Sequence, residues 1–245
     1  MNRISQTAVY AALVAMLGGS PPAGAGWLDD LLGKGKDKQA TSSALTTSQI
    51  GAGLKEALEV GTVRVVDTLG RPDGFSGDPL IRIPLPDSLK SVQSALLKIG
   101  MAGTLDDLEL ELNRAAEVAT PKAKALFMDA IRALTLDDVM AIYKGPDDAA
   151  TQYLRGQMSE PLAEAMQPVV DDSLDQVGAV ATYDTVMSQY NALPFVPEVD
   201  ADLTTYVVGK GLDGIFLYLA KEEAAIRTDP VERTTALLQQ VFGAR

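Results

Sequence analysis

The chain has 245 residues and carries neither histidine nor cysteine, and those two absences bound the chemistry open to it. Without imidazole there is no Ser-His-Asp triad, no usual general base near neutral pH and no imidazole ligand for a metal. Without thiol there is no cysteine nucleophile, no disulfide and no thiolate zinc or iron–sulfur site. Carboxylate, Lys, Tyr and Ser/Thr chemistry remains, with oxygen-bound hard cations as the metal option. Glu198, Asp200 and Asp202 have the one-three-five spacing of a calcium loop, but Leu203 and Gly209 stand where its glycine and final carboxylate belong. No metal and no cofactor is expected.

Polar residues that interrupt an apolar helical pattern are the remaining candidates, because burying a charge is costly unless it is paired. In a long helix expected over about 202–227, residues 203–220 are apolar nearly all round, the mark of a central helix. Its only charges there are Lys210 and Asp213, three apart and so on one side, with Tyr206 a turn earlier. Gly209, Gly211 and Gly214 fall in the same stretch. Each costs about 1 kcal/mol relative to alanine in a helix interior, so packing or a ligand is expected to compensate. In the first helix Ile50, Leu54, Ala57, Leu58, Val60, Gly61 and Val65 share a face, and Arg64 projects from its middle, where it needs a carboxylate or several carbonyls. Two readings follow. One is a buried ion-pair network of Lys210, Asp213 and Arg64, with the glycines admitting a neighbouring helix. The other is a ligand pocket whose polar floor is Arg64, Tyr206, Lys210 and Asp213, closed by the loop carrying Asp73 and Phe75. Asn113, Arg114 and Glu117 cluster opposite Leu112 and Ala116, as a surface interaction patch or a plain polar face.

Helix start and stop signals recur from Leu45 onward and strand signals are nearly absent, so the fold class expected is all-α, with about nine helices in one domain over 45–245. Thr47 is expected to cap the first helix and Gly70 to stop it. Two segments read as ordered loops. Residues 70–86 hold Pro72, Pro79, Pro84 and Pro86, and 191–200 hold Pro194 and Pro197. Thr104 with Asp107 and Thr120-Pro121 each read as a helix start, which divides 104–134 in two; Ser159-Glu160-Pro161 reads as another.

The first 25 residues read as a cleavable signal peptide. Arg3 is the positive start, Ala8 to Leu17 is an apolar run too short to span a bilayer, and Ala23-Gly24-Ala25 offers the small residues of a cleavage site. Residues 26–44 read as a tether, with one amphipathic turn at 27–32 (WLDDLL). Removing residues 1–25 takes away one basic residue, Arg3, and moves the net charge from −12 to −13. So acidic a chain is not expected to have nucleic acid or anionic headgroups as a general partner.

Seven runs look like a known family: Gly70-Arg71-Pro72-Asp73-Gly74-Phe75, Arg82-Ile83-Pro84-Leu85-Pro86, Asp106-Asp107-Leu108-Glu109, Asn113-Arg114-Ala115-Ala116-Glu117, Ala149-Ala150-Thr151-Gln152-Tyr153-Leu154, Tyr190-Asn191-Ala192-Leu193-Pro194 and Leu212-Asp213-Gly214-Ile215-Phe216. Together they resemble the bacterial family labelled domain of unknown function 4197, over about 45–243. The resemblance implies an all-helical envelope protein and brings no catalytic residue with it.

The expectation is therefore a periplasmic, non-enzymatic binding protein holding an amphipathic or lipid-like small molecule in a helical pocket. An envelope scaffold that binds another protein is the alternative, and a hydrolase using carboxylate or Lys chemistry is the third reading.

Overall fold

Long amphipathic helices dominate because apolar residues recur at three- and four-residue spacing through most of the chain. The computed structural model describes residues 45–243 apart from 102 and 138. The expected signal peptide and the 26–44 tether lie outside the described residues. Eight α-helices and two short 3₁₀ turns are described, with no strand among the described residues. The helices are α1 (Thr47–Leu69), α2 (Lys90–Lys98), α3 (Gly103–Ala133), α4 (Val139–Lys144), α5 (Ala149–Val177), α6 (Ala179–Asn191), α7 (Leu203–Thr228) and α8 (Ala236–Gly243). The 3₁₀ turns, Asp87–Leu89 and Pro230–Glu232, lead into α2 and follow α7. Residues from Leu45 onward form one compact unit.

The apolar helix read over 202–227 is α7, and it packs against α1, α3 and α5. Val207, Val208, Ile215, Phe216, Leu219 and Ile226 are buried there, and Phe216 meets Phe127 of α3 edge to face at 5.8 Å. α1 is capped by Thr46, one residue before the expected Thr47. The Thr46 hydroxyl accepts the Gln49 N–H at 3.2 Å, and the Gln49 side chain accepts the Thr46 N–H at 2.9 Å.

Two expected helix starts are continuous helix instead. Pro121 lies inside α3, and Pro161 and Pro168 lie inside α5. A proline in a helix interior removes one N–H and costs about 3 kcal/mol. The helices run on because their buried faces do. Ala150, Leu154, Leu162, Met166, Val170 and Leu174 keep four-residue register through both prolines of α5. Thr120 does not cap a new helix; its hydroxyl donates to the Ala116 carbonyl at 2.7 Å, within the preceding turn. Ser159 does the same to Arg155, at 2.7 Å. The Pro121 ring lies against Gly70 so closely that a Cβ there would come within 2.6 Å of it.

A buried ion pair joins three helix ends. Glu223 and Arg227 of α7 have fully buried side chains and meet at 2.6 Å. The Glu223 carboxylate accepts the N–H groups of Ala150 and Thr151 at 3.0 and 2.6 Å, and so caps the start of α5, where Asp148 makes no side-chain cap of its own. Arg227 donates to the Ile142 and Tyr143 carbonyls at the end of α4, at 3.4 and 3.2 Å. Breaking a buried pair leaves an uncompensated charge. Glu223→Ala is therefore expected to lower unfolding free energy by about 3–5 kcal/mol, against about 1 kcal/mol for Thr46→Ala, both read from urea melts.

Candidate functional site

Residues 70–86 contain no α-helix, and an irregular segment must still satisfy its backbone polar groups. Side chains of α3 do this. The Glu117 carboxylate, 3% exposed, accepts the Phe75 and Ser76 N–H groups at 3.1 Å each and the Arg114 guanidinium at 2.7 Å. Arg114 reaches on to Asp73 at 2.7 Å, and Asp73 adopts a positive φ of 67°. One turn earlier on α3, the Asn113 side chain accepts the Ile83 N–H and donates to the Ile83 carbonyl, each at 2.8 Å. The segment is thereby strapped along α3 and across α7.

The strap crosses α7 at Gly214. A Cβ there would come within 2.9 Å of Phe75 and 3.3 Å of Ile81, so only glycine lets the segment lie this close. Phe75 and Ile83 of the strap, and Leu89 in the turn that follows it, are fully buried. Two further bonds fasten the strap to α7: Tyr206 donates to the Pro84 carbonyl at 2.9 Å, and Tyr218 donates to the Asp78 carboxylate. The Tyr218 bond, helped by the Leu80 N–H and the Lys221 charge, holds the Asp78 carboxyl below its ordinary value; it also raises the Tyr218 hydroxyl. Burial, and then the charges of Asp87 and Glu109, raise the Tyr206 hydroxyl.

A cleft lies on each side of this crossing. One, of about 400 Å³, is lined by residues at positions 68 to 79, among them Arg71, Asp73 and Asp78, and by Tyr218. The other, of about 360 Å³, is lined by Leu80, Ile81, Arg82 and Pro84 of the strap, Arg155 of α5, and Lys210, Asp213, Gly214 and Leu217 of α7. Lys210, Asp213 and Leu217 fall on one face of α7 at three- and four-residue spacing, with Tyr206 one turn before. Asp213 pairs with Arg155, Arg82 pairs with Glu109 at 2.8 Å, and the Lys210 ammonium stands 5.9 Å from the Tyr206 ring centre.

The expected residues are thus partly reassembled. Tyr206, Lys210 and Asp213 do share a face, but Lys210 and Asp213 are exposed and do not pair with each other, so they form no buried network. Arg64 does not join them. It bonds Glu222 at 3.0 Å and Glu232 at 2.6 Å. Glu222 lies twelve residues beyond Lys210, about 18 Å along α7. Arg64 has the carboxylates its position demanded, from α7 and the turn after it. Phe75 is core rather than a closing surface group, because Gly214 makes room for it. Asn113 and Glu117 are not a surface patch, since the strap covers them. Of the three glycines, Gly214 admits the strap rather than a helix, whereas a Cβ at Gly209 or Gly211 would meet nothing within 4 Å.

Arg82, Arg155, Leu80, Leu217 and the Asp78–Tyr218 pair carry no local sequence signal that joins them, because their partners are remote in the chain. Glu223 did carry one. It falls on the buried face of α7 between Leu219 and Ile226, with Arg227 four residues on.

A family model described as "Protein of unknown function (DUF4197)" matches residues 44–243. No curated protein and no solved structure matches the chain.

Glu117→Ala strands the Phe75 and Ser76 N–H groups and is expected to cost about 1–3 kcal/mol for each, read by urea denaturation. The Asp78–Tyr218 bond has two pH limits. Asp78 is lowered in the folded state, so its contribution is present above the unfolded carboxyl value and is lost as pH falls through the folded one. Tyr218 is raised, so its contribution is present below the unfolded phenol value and is lost as pH rises through the folded one. Tyr218→Phe should therefore lower stability by a constant amount from about pH 5 to 9, with the difference shrinking towards both extremes.

Proposed function

The chain belongs to the DUF4197 family, whose description assigns no activity, and from that premise we propose that it is an exported, non-enzymatic binding protein that carries an amphipathic small molecule between the strap and α7. The observation that carries this reading is the composition of the 360 Å³ cleft. Its strap side presents Leu80, 65% exposed, and its α7 side presents Leu217, 39% exposed, while Arg82, Arg155, Lys210 and Asp213 line the same space. Its volume lies within the range of about 300–1,000 Å³ usual for small-molecule sites, and its mixed lining, four charged side chains beside Leu80, Ile81, Pro84 and Leu217, suits a ligand with both a polar and an apolar part. Bonds from α3 and α7 fix the strap, so the cleft wall is pre-organised and binding need not order it.

Other features support the absence of catalysis. The chain has no histidine or cysteine, and the partnered pair Asp78 and Tyr218 is pushed away from neutral pH in both directions, the opposite of what a general acid or base needs. The Arg3 start, the 8–17 apolar run and the Ala23-Gly24-Ala25 site support export to the periplasm. No helix among the described residues is long and apolar enough to cross a membrane. One observation favours the scaffold alternative. Leu97, Ile99 and Met101 are exposed together where the chain turns from α2 to α3, a place where another envelope protein could seat.

Protein purified gently from its own compartment should show, by native mass spectrometry, a mass adduct that disappears on denaturation. Leu217→Glu should lose the adduct while melting at the same temperature as the parent. A clean mass from native cells would argue against the carrier and favour the scaffold.

A further inference from the structure

We propose that the molecule held beside α7 has an oxyanion head, a carboxylate or phosphate, gripped by Lys210 and Arg155 with Arg82 at the rim, while its alkyl part lies on Leu80 and Leu217. This rests on the binding reading above and gives it a ligand class. The first argument is local charge. The whole chain has 21 basic against 33 acidic residues, yet this cleft is lined by Arg82, Arg155 and Lys210 against Asp213, with Glu109 paired to Arg82 and Asp87 in the field of Lys210 at its edge. Three cations drawn from the strap, α5 and α7 thus line one cleft of an otherwise acidic protein.

The second argument is unused hydrogen-bonding capacity. Lys210 makes no ion pair among the described residues, and its ammonium lies over the Tyr206 ring. Arg155 engages Asp213 through Nη2 alone, leaving Nε and Nη1, and its guanidinium carbon lies 5.7 Å from the Phe216 ring centre. Arg82 directs Nε and Nη2 to one oxygen of Glu109, at 3.0 and 2.8 Å, leaving Nη1. A guanidinium fork beside an ammonium suits the oxygens of an oxyanion.

The third argument is the ease of exchange. The Arg155 and Asp213 side chains are 45% and 57% exposed. A surface pair of this kind contributes about 0–1 kcal/mol, so an incoming anion can displace the Asp213 carboxylate at little cost. Asp213 then acts as a competitor already in place. Lys210 and Asp213, one turn apart, consequently have opposite effects on the ligand.

The test is calorimetric titration of the purified chain with octyl phosphate, 1-octanol and inorganic phosphate, all below micellar concentration. Octyl phosphate should bind one site saturably and more weakly at higher salt. Lys210→Met should weaken it about tenfold, and Asp213→Asn should tighten it several-fold. Octanol should bind more weakly and equally in all three proteins. A purely structural role for these two exposed residues would not move affinity in opposite directions. Octanol binding as tightly as octyl phosphate, or affinities unmoved by both substitutions, would overturn the oxyanion head and leave the carrier reading standing. Binding of neither amphiphile would overturn the carrier reading itself. Inorganic phosphate binding as tightly as octyl phosphate would keep the anion grip and overturn the amphiphilic ligand.

Discussion

One buried carboxylate fixes the irregular strap and the walls of the clefts beside it. Glu117 projects from the middle of α3 into a space that water does not reach, where an unpaired charge would be prohibitive. Two backbone N–H groups of the strap and the Arg114 guanidinium satisfy it, and Asn113 secures Ile83 one turn away. The dependence is mutual. Without the strap Glu117 would keep only Arg114 and Asn113 only the Glu109 carbonyl, both on α3 itself, and without these two side chains the Phe75, Ser76 and Ile83 N–H groups would lose their acceptors. Phe75 in the core, the Gly214 crossing and the clefts on either side all follow from that exchange.

The charges of the molecule divide into two kinds. Glu117 and the Glu223–Arg227 pair are buried and fasten backbone: one holds the strap, the other joins the ends of α4 and α5 to α7. Pairs of this kind tolerate no loss of a partner. Arg82, Arg155 and Asp213 are exposed and loosely paired, and Lys210 is exposed with no ion pair among the described residues, so these four are cheap to rearrange. The strap held by Glu117 carries Arg82, and α5 and α7 carry the other three.

Much of this was legible in the chain. The all-α class, both proline-rich loops and the central position of α7 followed from periodicity and turn residues. The prolines misled: Pro121 and Pro161 look like helix starts, but the apolar register runs through them, and burial of that face outweighs one missing hydrogen bond in each. Asn113, Arg114 and Glu117 stood out, yet a helical wheel sends polar residues to solvent unless something covers them, and the path of an irregular loop has no period to read. For the same reason the spacing of Lys210 and Asp213 placed them on one face while leaving Arg155, 58 residues from Asp213, invisible. Arg64 correctly demanded carboxylates, but which acids answered depended on the packing of α1 against α7.

Backbone amide hydrogen exchange at Phe75, Ser76 and Ile83 tests the central claim most directly, because these three N–H groups are the ones that Glu117 and Asn113 accept. A strap anchored as described should exchange them only as slowly as the buried turns of α3 and α7, through opening of the core. Exchange at the rate of a free loop, with α3 and α7 still protected, would contradict the account. The cleft would then lack a fixed wall.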